Sequence, residues 1–402
     1  MSTATVSADK SLLSGPAPKK APDAPKLVRV AREHGVNPIT QFTQVLQGRR
    51  KVNGLKLSDY YDFELYRFAD RTKRMEFVGV QGSRHLNGSL SPEGVRQHCD
   101  FLNDKVMLSE FLNGLGLRST ETQAVVDNRR LFGDLPVLRS LEDIRTFLTR
   151  DARFPLFAKP AVGSLSVGSA RIEAVEEGGK TLRFGNGETV ALDEFAQEIL
   201  NDHARRGFLF QTAVAQHPKL TEMTGSALGT IRVVTVPEEA DRPRVLYVLW
   251  KIPSPRAMSD NFWQEGSMLA QIELETGRIV KCRLGTGLDT QHIEMHPATG
   301  LPIVGETIPY WDELKALAEK AHALFPNSGV LGWDIGMSED GPVIVECNNS
   351  PFHTLYQLAT GEGVLNPRFT PVFDKIAARQ ADRLKAAKKA EKQKRKRIKR
   401  GG

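Results

Sequence analysis

The sequence predicts an α+β fold in which a mostly helical N-terminal region precedes two lobes, each combining strands with helices. Three observations lead there. Residues 27–100 carry apolar positions at helical spacing with polar interruptions, whereas from residue 122 onward β-branched and aromatic runs alternate with amphipathic helical stretches. Residues 329–351, GVLGWDIGMSEDGPVIVECNNSP, read as a β-hairpin: Val343, Ile344 and Val345 form a β-branched run after the turn formers Ser338 to Pro342. Length is the third: 402 residues with 40% hydrophobic content suffice for two or three ordinary cores.

Taken in order, residues 1–26 are rich in Ala, Pro, Ser and Lys and read as a disordered tail. Residues 27–120 form the helical region. Within it, residues 57–68 put Tyr61, Leu65 and Phe68 on one helical face, and Asn103 or Asp104 caps a helix that buries Val106, Leu108, Phe111, Leu112 and Leu115. Lys105 stands in its first turn, where the helix dipole disfavours a cation unless an anion is near. Residues 121–212 form a smaller lobe, with strands at 122–126, 154–159, 170–174 and 207–211 and helices at 141–150 and 192–201. Residues 213–375 form a larger lobe, with strands at 229–236, 245–252 and 268–274, a helix at 312–324 and the hairpin. Residues 376–402 are a basic tail.

If Glu339-Asp340-Gly341 is the hairpin loop, Asp334 lies opposite Glu346, Ile335 opposite Val345 and Trp333 opposite Cys347. One face then packs, with Trp333, Ile335, Met337, Val343, Val345 and Cys347, and the other carries Asp334, Glu346 and Asn348. Two carboxylates across a ladder sit roughly 5 Å apart and repel, so they call for a cation. Two carboxylates and a carboxamide make a hard, incomplete oxygen set suited to Mg²⁺ completed by water and phosphate. The bland alternative is a hydrated hairpin face.

In the smaller lobe a short apolar strand ends at Lys159-Pro160, and Gly163, Ser164, Ser166, Gly168 and Ser169 follow at once. Amides and hydroxyls of such a loop can close over phosphates beside a lysine charge, although a plain flexible turn has the same composition. Arg232 interrupts the buried-looking strand TIRVVTV and needs an anion, either a structural carboxylate or a phosphate or acyl phosphate. The G-x-x-x-x-G-K phosphate loop is absent.

The net charge of +7 belongs to the end of the chain: residues 381–402 hold 11 Lys or Arg against 2 acids, leaving −2 on the rest. That tail suits non-specific contact with an anionic membrane surface or nucleic acid, or is a solvated extension; it lacks the interleaved aromatics of base readers. Cys99, Cys282 and Cys347 are scattered, without metal spacing, and fit a reducing compartment, with Cys347 turned to the core. No run reaches the roughly 18 apolar residues of a membrane span and no secretory signal is visible, so a soluble, cytoplasmic protein is expected.

Asp334 followed twelve residues on by E-x-N-x-x-P (Glu346, Asn348, Pro351) resembles the magnesium-binding end of the ATP-grasp superfamily, in particular the sugar-transfer-associated ATP-grasp or alpha-L-glutamate ligase-related group. The Lys159-Pro160 strand with its Gly/Ser loop, the TIRVVT strand and the QHP segment (Gln216, His217, Pro218) are similar to that group too. The resemblance implies an ATP-grasp fold, two α+β lobes clamping a nucleotide, and a Mg²⁺- and ATP-dependent ligase that joins a small-molecule carboxylate to an amine through an acyl phosphate. It implies phosphate contacts from Lys105, Lys159 and Arg232, the last two catalytic, and a mobile loop at Gly163, Ser164 and Ser166. It further implies an adenine hinge at Gln211 and Val214, ribose contacts near Gln216 and His217, a substrate loop at Asn261 and Gly266, and Mg²⁺ on Asp334, Glu346 and Asn348. Gln211 stands where the superfamily usually has Glu. A kinase on the same fold, a non-catalytic nucleotide binder and a nucleic-acid-binding protein are the rival readings.

Overall fold

The computed structural model describes residues 25–95, 99–162, 168–239, 242–255 and 257–401. Among the described residues seven α-helices come first: α1 (Lys26–His34), α2 (Pro38–Gly48), α3 (Leu57–Asp62), α4 (Arg71–Met75), α5 (Val80–Leu90), α6 (Cys99–Asn103) and α7 (Lys105–Gly114). Asp104 caps α7, its Oδ1 accepting from the amides of Val106 and Met107, so Lys105 is the first helical residue as its sequence predicts. The buried side of α7 is narrower than expected. Val106, Leu108 and Leu112 are buried, but Phe111 and Leu115 are exposed. Nor is 57–68 one helix. Glu64 takes a left-handed conformation (φ 53°), ending α3 and starting a separate 3₁₀ turn at Leu65–Arg67.

Two seven-stranded sheets follow. The first comprises β1 (Thr122–Val126), β2 (Val137–Leu138), β3 (Leu156–Pro160), β4 (Ala170–Glu176), β5 (Thr181–Phe184), β6 (Thr189–Ala191) and β7 (Phe208–Thr212), in the order β2-β1-β7-β3-β4-β5-β6. Helices α8 (Leu141–Thr146), prolonged by a π-helical turn at Phe147–Asp151, and α9 (Leu192–Asp202) close its core around Ile144, Phe147, Phe195 and Ile199. After α10 (Pro218–Thr224) comes the second sheet: β8 (Ile231–Glu239), β9 (Arg242–Ile252), β10 (Met268–Ile272), β11 (Ile279–Leu284), β12 (Gln291–Ile293), β13 (Leu331–Ser338) and β14 (Gly341–Asn348), in the order β12-β11-β10-β9-β8-β13-β14. Among the named strands of the described residues, only β1 and β2 pair in parallel.

Both faces of the second sheet are covered, which is why β8 reads as a nearly continuous apolar run. On one side Ile231, Val233, Trp250 and Trp333 pack with Leu314 and Ala318 of α11 (Trp311–Ala323) and Leu112 of α7. On the other, Val234, Val236 and Leu249 pack with Tyr60, Phe77 and Leu90 of the N-terminal region, and with α12 (Thr354–Thr360) and α13 (Thr370–Gly401). The N-terminal region therefore shares the core of the larger lobe. The basic tail is a continuation of α13, whose first half is anchored by Val372, Phe373 and Ile376.

The hairpin reaches the expected pairing by a different route. Its loop has two residues, Glu339 and Asp340, with Ser338 opposite Gly341 (φ 107°), and Ile335 pairs with Ile344. A bulge at Val345 then restores the register: Asp334 faces Glu346, Trp333 faces Cys347 and Gly332 faces Asn348. The extra residue leaves the packing face, so Val345, expected in the core, lines the cavity described below. Gly332 has a steric role: a Cβ there would come within 2.8 Å of Pro351 Cβ, because the chain after Asn348 folds back across the strand.

Candidate active site

A cavity of about 670 Å³ lies between the two sheets, within the usual range for small-ligand sites. The smaller lobe contributes Lys159 and Gln211 from β3 and β7, the crossover chain contributes Val214, and the larger lobe contributes Arg232, Lys251, Asp334, Glu346 and Asn348. Lys105 enters from the first turn of α7 and Asn261 from the loop after β9. Lys105, Lys159, Gln211, Val214, Arg232, Asp334, Glu346 and Asn348, separated by up to 243 positions in the chain, are thus brought together on one wall system.

The electrostatics are dominated by cations. Asp334 is 2% exposed; its Oδ1 accepts from Arg232 Nε at 2.5 Å, and its Oδ2 accepts from Arg232 Nη2 at 2.9 Å and from Lys251 Nζ at 3.1 Å. Burial alone would raise the Asp334 carboxyl, but Arg232 and Lys251 together hold it far below the usual carboxylate range. Burial would likewise lower Lys251, and Asp260 and Asp334 outweigh it, so this lysine stays charged. Lys251 Nζ bridges the two acids, 3.0 Å from Asp260 Oδ2. Asp260 in turn accepts from the Thr230 hydroxyl and backbone amide. The carboxylate pair that calls for a cation is therefore met from both ends, since Lys105 Nζ lies 3.5 Å from Glu346 Oε2. Arg232 takes the structural carboxylate while still lining the cavity.

Lys159 differs. It is 4% exposed, and no acid among the described residues pairs with it within 4 Å. Burial first, then the charge of Lys105, pulls its ammonium down to about 8 against the weaker pull of Glu346, Asp260 and Asp334. Two neighbouring lysines facing one cavity make a site that an anion would relieve. Three buried polar atoms on the same walls, Gln211 Oε1, Thr120 Oγ1 and Asn348 Nδ2, have no hydrogen-bond partner among the described residues. Such orphans are uncommon in native proteins, and a polar ligand or ordered water in the cavity would satisfy these three.

Sequence reasoning missed Lys251, although a lysine at the end of the apolar run VLYVLW, adjacent to the Arg232 strand, was the available signal. It also missed the support behind Asn348. His353 is fully buried; its Nδ1 meets Tyr247 Oη at 2.8 Å and its Nε2 meets Asn87 Oδ1 at 2.9 Å, while Asn87 Nδ2 donates to Pro351 O and Ser350 Oγ. Because Asn87 Oδ1 can only accept, Nε2 carries the proton and Tyr247 donates to Nδ1. Burial, with Arg232 nearby, drops this imidazole to about 3, so it stays neutral. Helix α5 thereby clamps the loop that follows Asn348.

Three of the expected residues stand off the cavity walls. His217 does not line the cavity: its Nδ1 accepts from the Lys219 amide as the cap of α10, and its ring stands edge-on to Tyr310. Gln216 is likewise spent inside the fold, its Oε1 accepting from Gly229 N and its Nε2 donating to Gly225 O. Gly163, Ser164 and Ser166 lie outside the described residues; the flanking Val162 and Ser169 line the cavity. Gly266 does not reach the cavity, whereas Asn261 does.

Among solved structures, the D-alanine-D-alanine ligase from Coxiella burnetii aligns with 78% of this chain and 70% of its own at 11% identity and a TM-score of 0.41. The enzyme of the same name from Bacillus anthracis aligns over 79% and 83% at 13% identity and a TM-score of 0.39. The biotin carboxylase domain of the Hydrogenobacter thermophilus 2-oxoglutarate carboxylase aligns over 69% of this chain but only 46% of its own, at 10% identity and a TM-score of 0.38. Comparison with curated proteins finds no relative. Among the described residues no helix is long and apolar enough to cross a membrane. The family profile described as sugar-transfer associated ATP-grasp matches residues 92–372, from just after α5 into α13 and across both sheets, and the chain belongs to that family.

Proposed function

We propose that this protein is an ATP- and Mg²⁺-dependent ligase that forms an amide bond between a carboxylate and an amine. The observation that carries the reading is the convergence of Lys105, Lys159, Arg232 and Lys251 on a cavity that also presents Glu346 and Asn348. In the proposed reaction a carboxylate oxygen attacks the γ-phosphorus of ATP and ADP departs. The amine nitrogen then adds to the acyl carbon, loses a proton and expels inorganic phosphate. Lys105 and Lys159 hold phosphate oxygens, while Arg232 and Lys251, backed by Asp334, neutralise the charge that gathers at the transferring phosphoryl group. Gln211 and Val214 sit where β7 hands over to the crossover chain, and we assign them to the base of the nucleotide.

Glu346 and Asn348 fit a magnesium ion. Both are oxygen donors on the cavity wall, and the Asn348 amide has an unpartnered end that a half-turn exchanges for its oxygen. Asp334, whose oxygens accept from Arg232 and Lys251, would be the third residue beside the ion. The ion would supply charge neutralisation on the triphosphate. For the substrate, Trp263 (53% exposed) and Phe352 (38% exposed) line the cavity, and partly exposed aromatic side chains of this kind can pack on sugar rings. With the family's description, this supports an acid or amine belonging to a glycan or cell-envelope precursor.

The test is a panel of sugar and amino acids with amines, incubated with Mg·ATP and scored by mass for a condensation product together with ADP and free phosphate. A phosphorylated hydroxyl with no free phosphate would identify a kinase instead, and ATP binding without turnover on any acceptor a non-catalytic binder.

The low Lys159 value gives a separate check. Its ammonium is partly neutral above pH 8 in the free protein, and a triphosphate beside it restores the charge, so nucleotide binding at about pH 8.5 takes up a substantial part of one proton. Calorimetry in two buffers of different ionisation enthalpy reads this directly. Lys159→Met is expected to lose the uptake and to bind ATP about tenfold or more weakly.

A further inference from the structure

Helix α2 buries Gln41 beside Val45 and turns an apolar stripe outward. Gln41 is fully buried, donating through Nε2 to the carbonyls of Leu27 and Val36 and accepting from Tyr61 Oη, whereas Ile39, Phe42 and Leu46 are 78%, 62% and 47% exposed. Those three stand at spacings of three and four, one stripe on the outward face. Val28 on α1 and Val52 and Leu57 beyond α2 are about half exposed as well. In all, seven of the eighteen large apolar side chains exposed among the described residues fall within residues 27–57. The same stretch is basic: residues 26–58 hold seven Lys or Arg against one acid, Glu33, with Arg49, Arg50 and Lys51 exposed at the end of α2.

We propose that this surface seats the protein on an anionic lipid bilayer, with Ile39, Phe42 and Leu46 entering the headgroup boundary and the flanking Arg and Lys side chains meeting lipid phosphates. An apolar stripe bordered by cations is the pattern of helices that lie in the membrane interface. It matches a surface offering both negative charge and hydrocarbon. Nucleic acid would use the charge and leave the aliphatic stripe in water. A second copy would bring two Arg49-Arg50-Lys51 clusters together, and α2, eleven residues and about 16 Å long, offers little of the roughly 800 Å² per partner of a stable interface. The distal half of α13 is an exposed basic helix and adds attraction to the same kind of surface, which accords with the need for two weak signals in lasting attachment.

The experiment is flotation of the full chain with phosphatidylcholine vesicles prepared with and without phosphatidylglycerol. Two combined variants go alongside, Ile39→Ser/Phe42→Ser/Leu46→Ser and Arg49→Glu/Arg50→Glu/Lys51→Glu. All the changed residues are exposed and none lines the cavity, so melting temperature and Mg·ATP binding are expected to be unchanged and serve as the folding control. The unaltered protein is expected to float with the anionic vesicles and not with the neutral ones, and each variant to bind about tenfold or more weakly. The proposal is overturned if the unaltered protein stays unbound, or if the serine variant floats equally well, which would leave α13 as the sole attachment. It is also overturned if light scattering finds a dimer that the serine variant dissolves, which would assign the stripe to a second copy.

Discussion

Glu346→Gln is expected to lower Mg·ATP-dependent turnover by about 10²–10³-fold while leaving the fold intact. The substitution keeps the size and the β14 backbone, and removes one negative charge from the cavity wall. Stability should hardly move. The Glu346 side chain is 30% exposed and its ion pair with Lys105 spans 3.5 Å, a geometry worth at most about 1 kcal/mol. Catalysis should move a great deal, because on the proposed reading a hard carboxylate oxygen at this point would hold the divalent ion and set the position of Lys105 against the phosphates. The two contributions separate by magnesium titration. If Glu346 is a ligand, the variant needs far more Mg²⁺ for half-maximal rate, and Lys105→Met does not reproduce that shift. Turnover and magnesium dependence equal to those of the unaltered protein would remove Glu346 from the site.

How much of this site is legible in the chain depends on what kind of physics places each residue. The acid pair was legible because strand pairing is periodic: counting across a turn puts Asp334 opposite Glu346, and a two-residue loop plus the Val345 bulge gives the same partner as a three-residue loop without one. Val345 shows the limit of such counting, since a bulge moves one side chain to the other face without leaving a mark in composition. Lys105 was legible because its cap is local. His217 stands off the cavity walls for a reason that is equally local, since its neighbours spell a helix cap, with Pro218 at the first helical position, and that demand takes the ring. Lys251 and the His353–Asn87–Tyr247 chain were hidden because they are long-range; Asn87 and His353 are 266 positions apart and meet only once α5 packs on the larger lobe. The outward apolar stripe of α2 could not be read either, because periodicity finds an apolar stripe but does not say whether it faces the core or water.

Asp334→Asn is expected to cost about 3–5 kcal/mol of stability at neutral pH, the usual price of stranding buried cations. Arg232 is 7% exposed and Lys251 8%, and the carboxylate they share is their charge partner within β13. An amide keeps the shape and one acceptor oxygen but cancels no charge. Lys251 can fall back on Asp260 at 3.0 Å, whereas Arg232 has no second carboxylate within 4 Å among the described residues, so the larger part of the loss belongs to the arginine. The pH dependence distinguishes this from simple loss of packing. Asp334 is held well below its ordinary value of 3.8, so the unfolded chain takes up this proton before the native state does. Its contribution is therefore complete above about pH 5 and drains away as the pH falls through 4 and below. Urea unfolding of both proteins at a series of pH values should show a gap that is widest at neutral pH and narrows steadily in acid. A gap of the same size at every pH would mean that the loss comes from hydrogen-bond geometry and not from the carboxylate charge, and would overturn the ion-pair account.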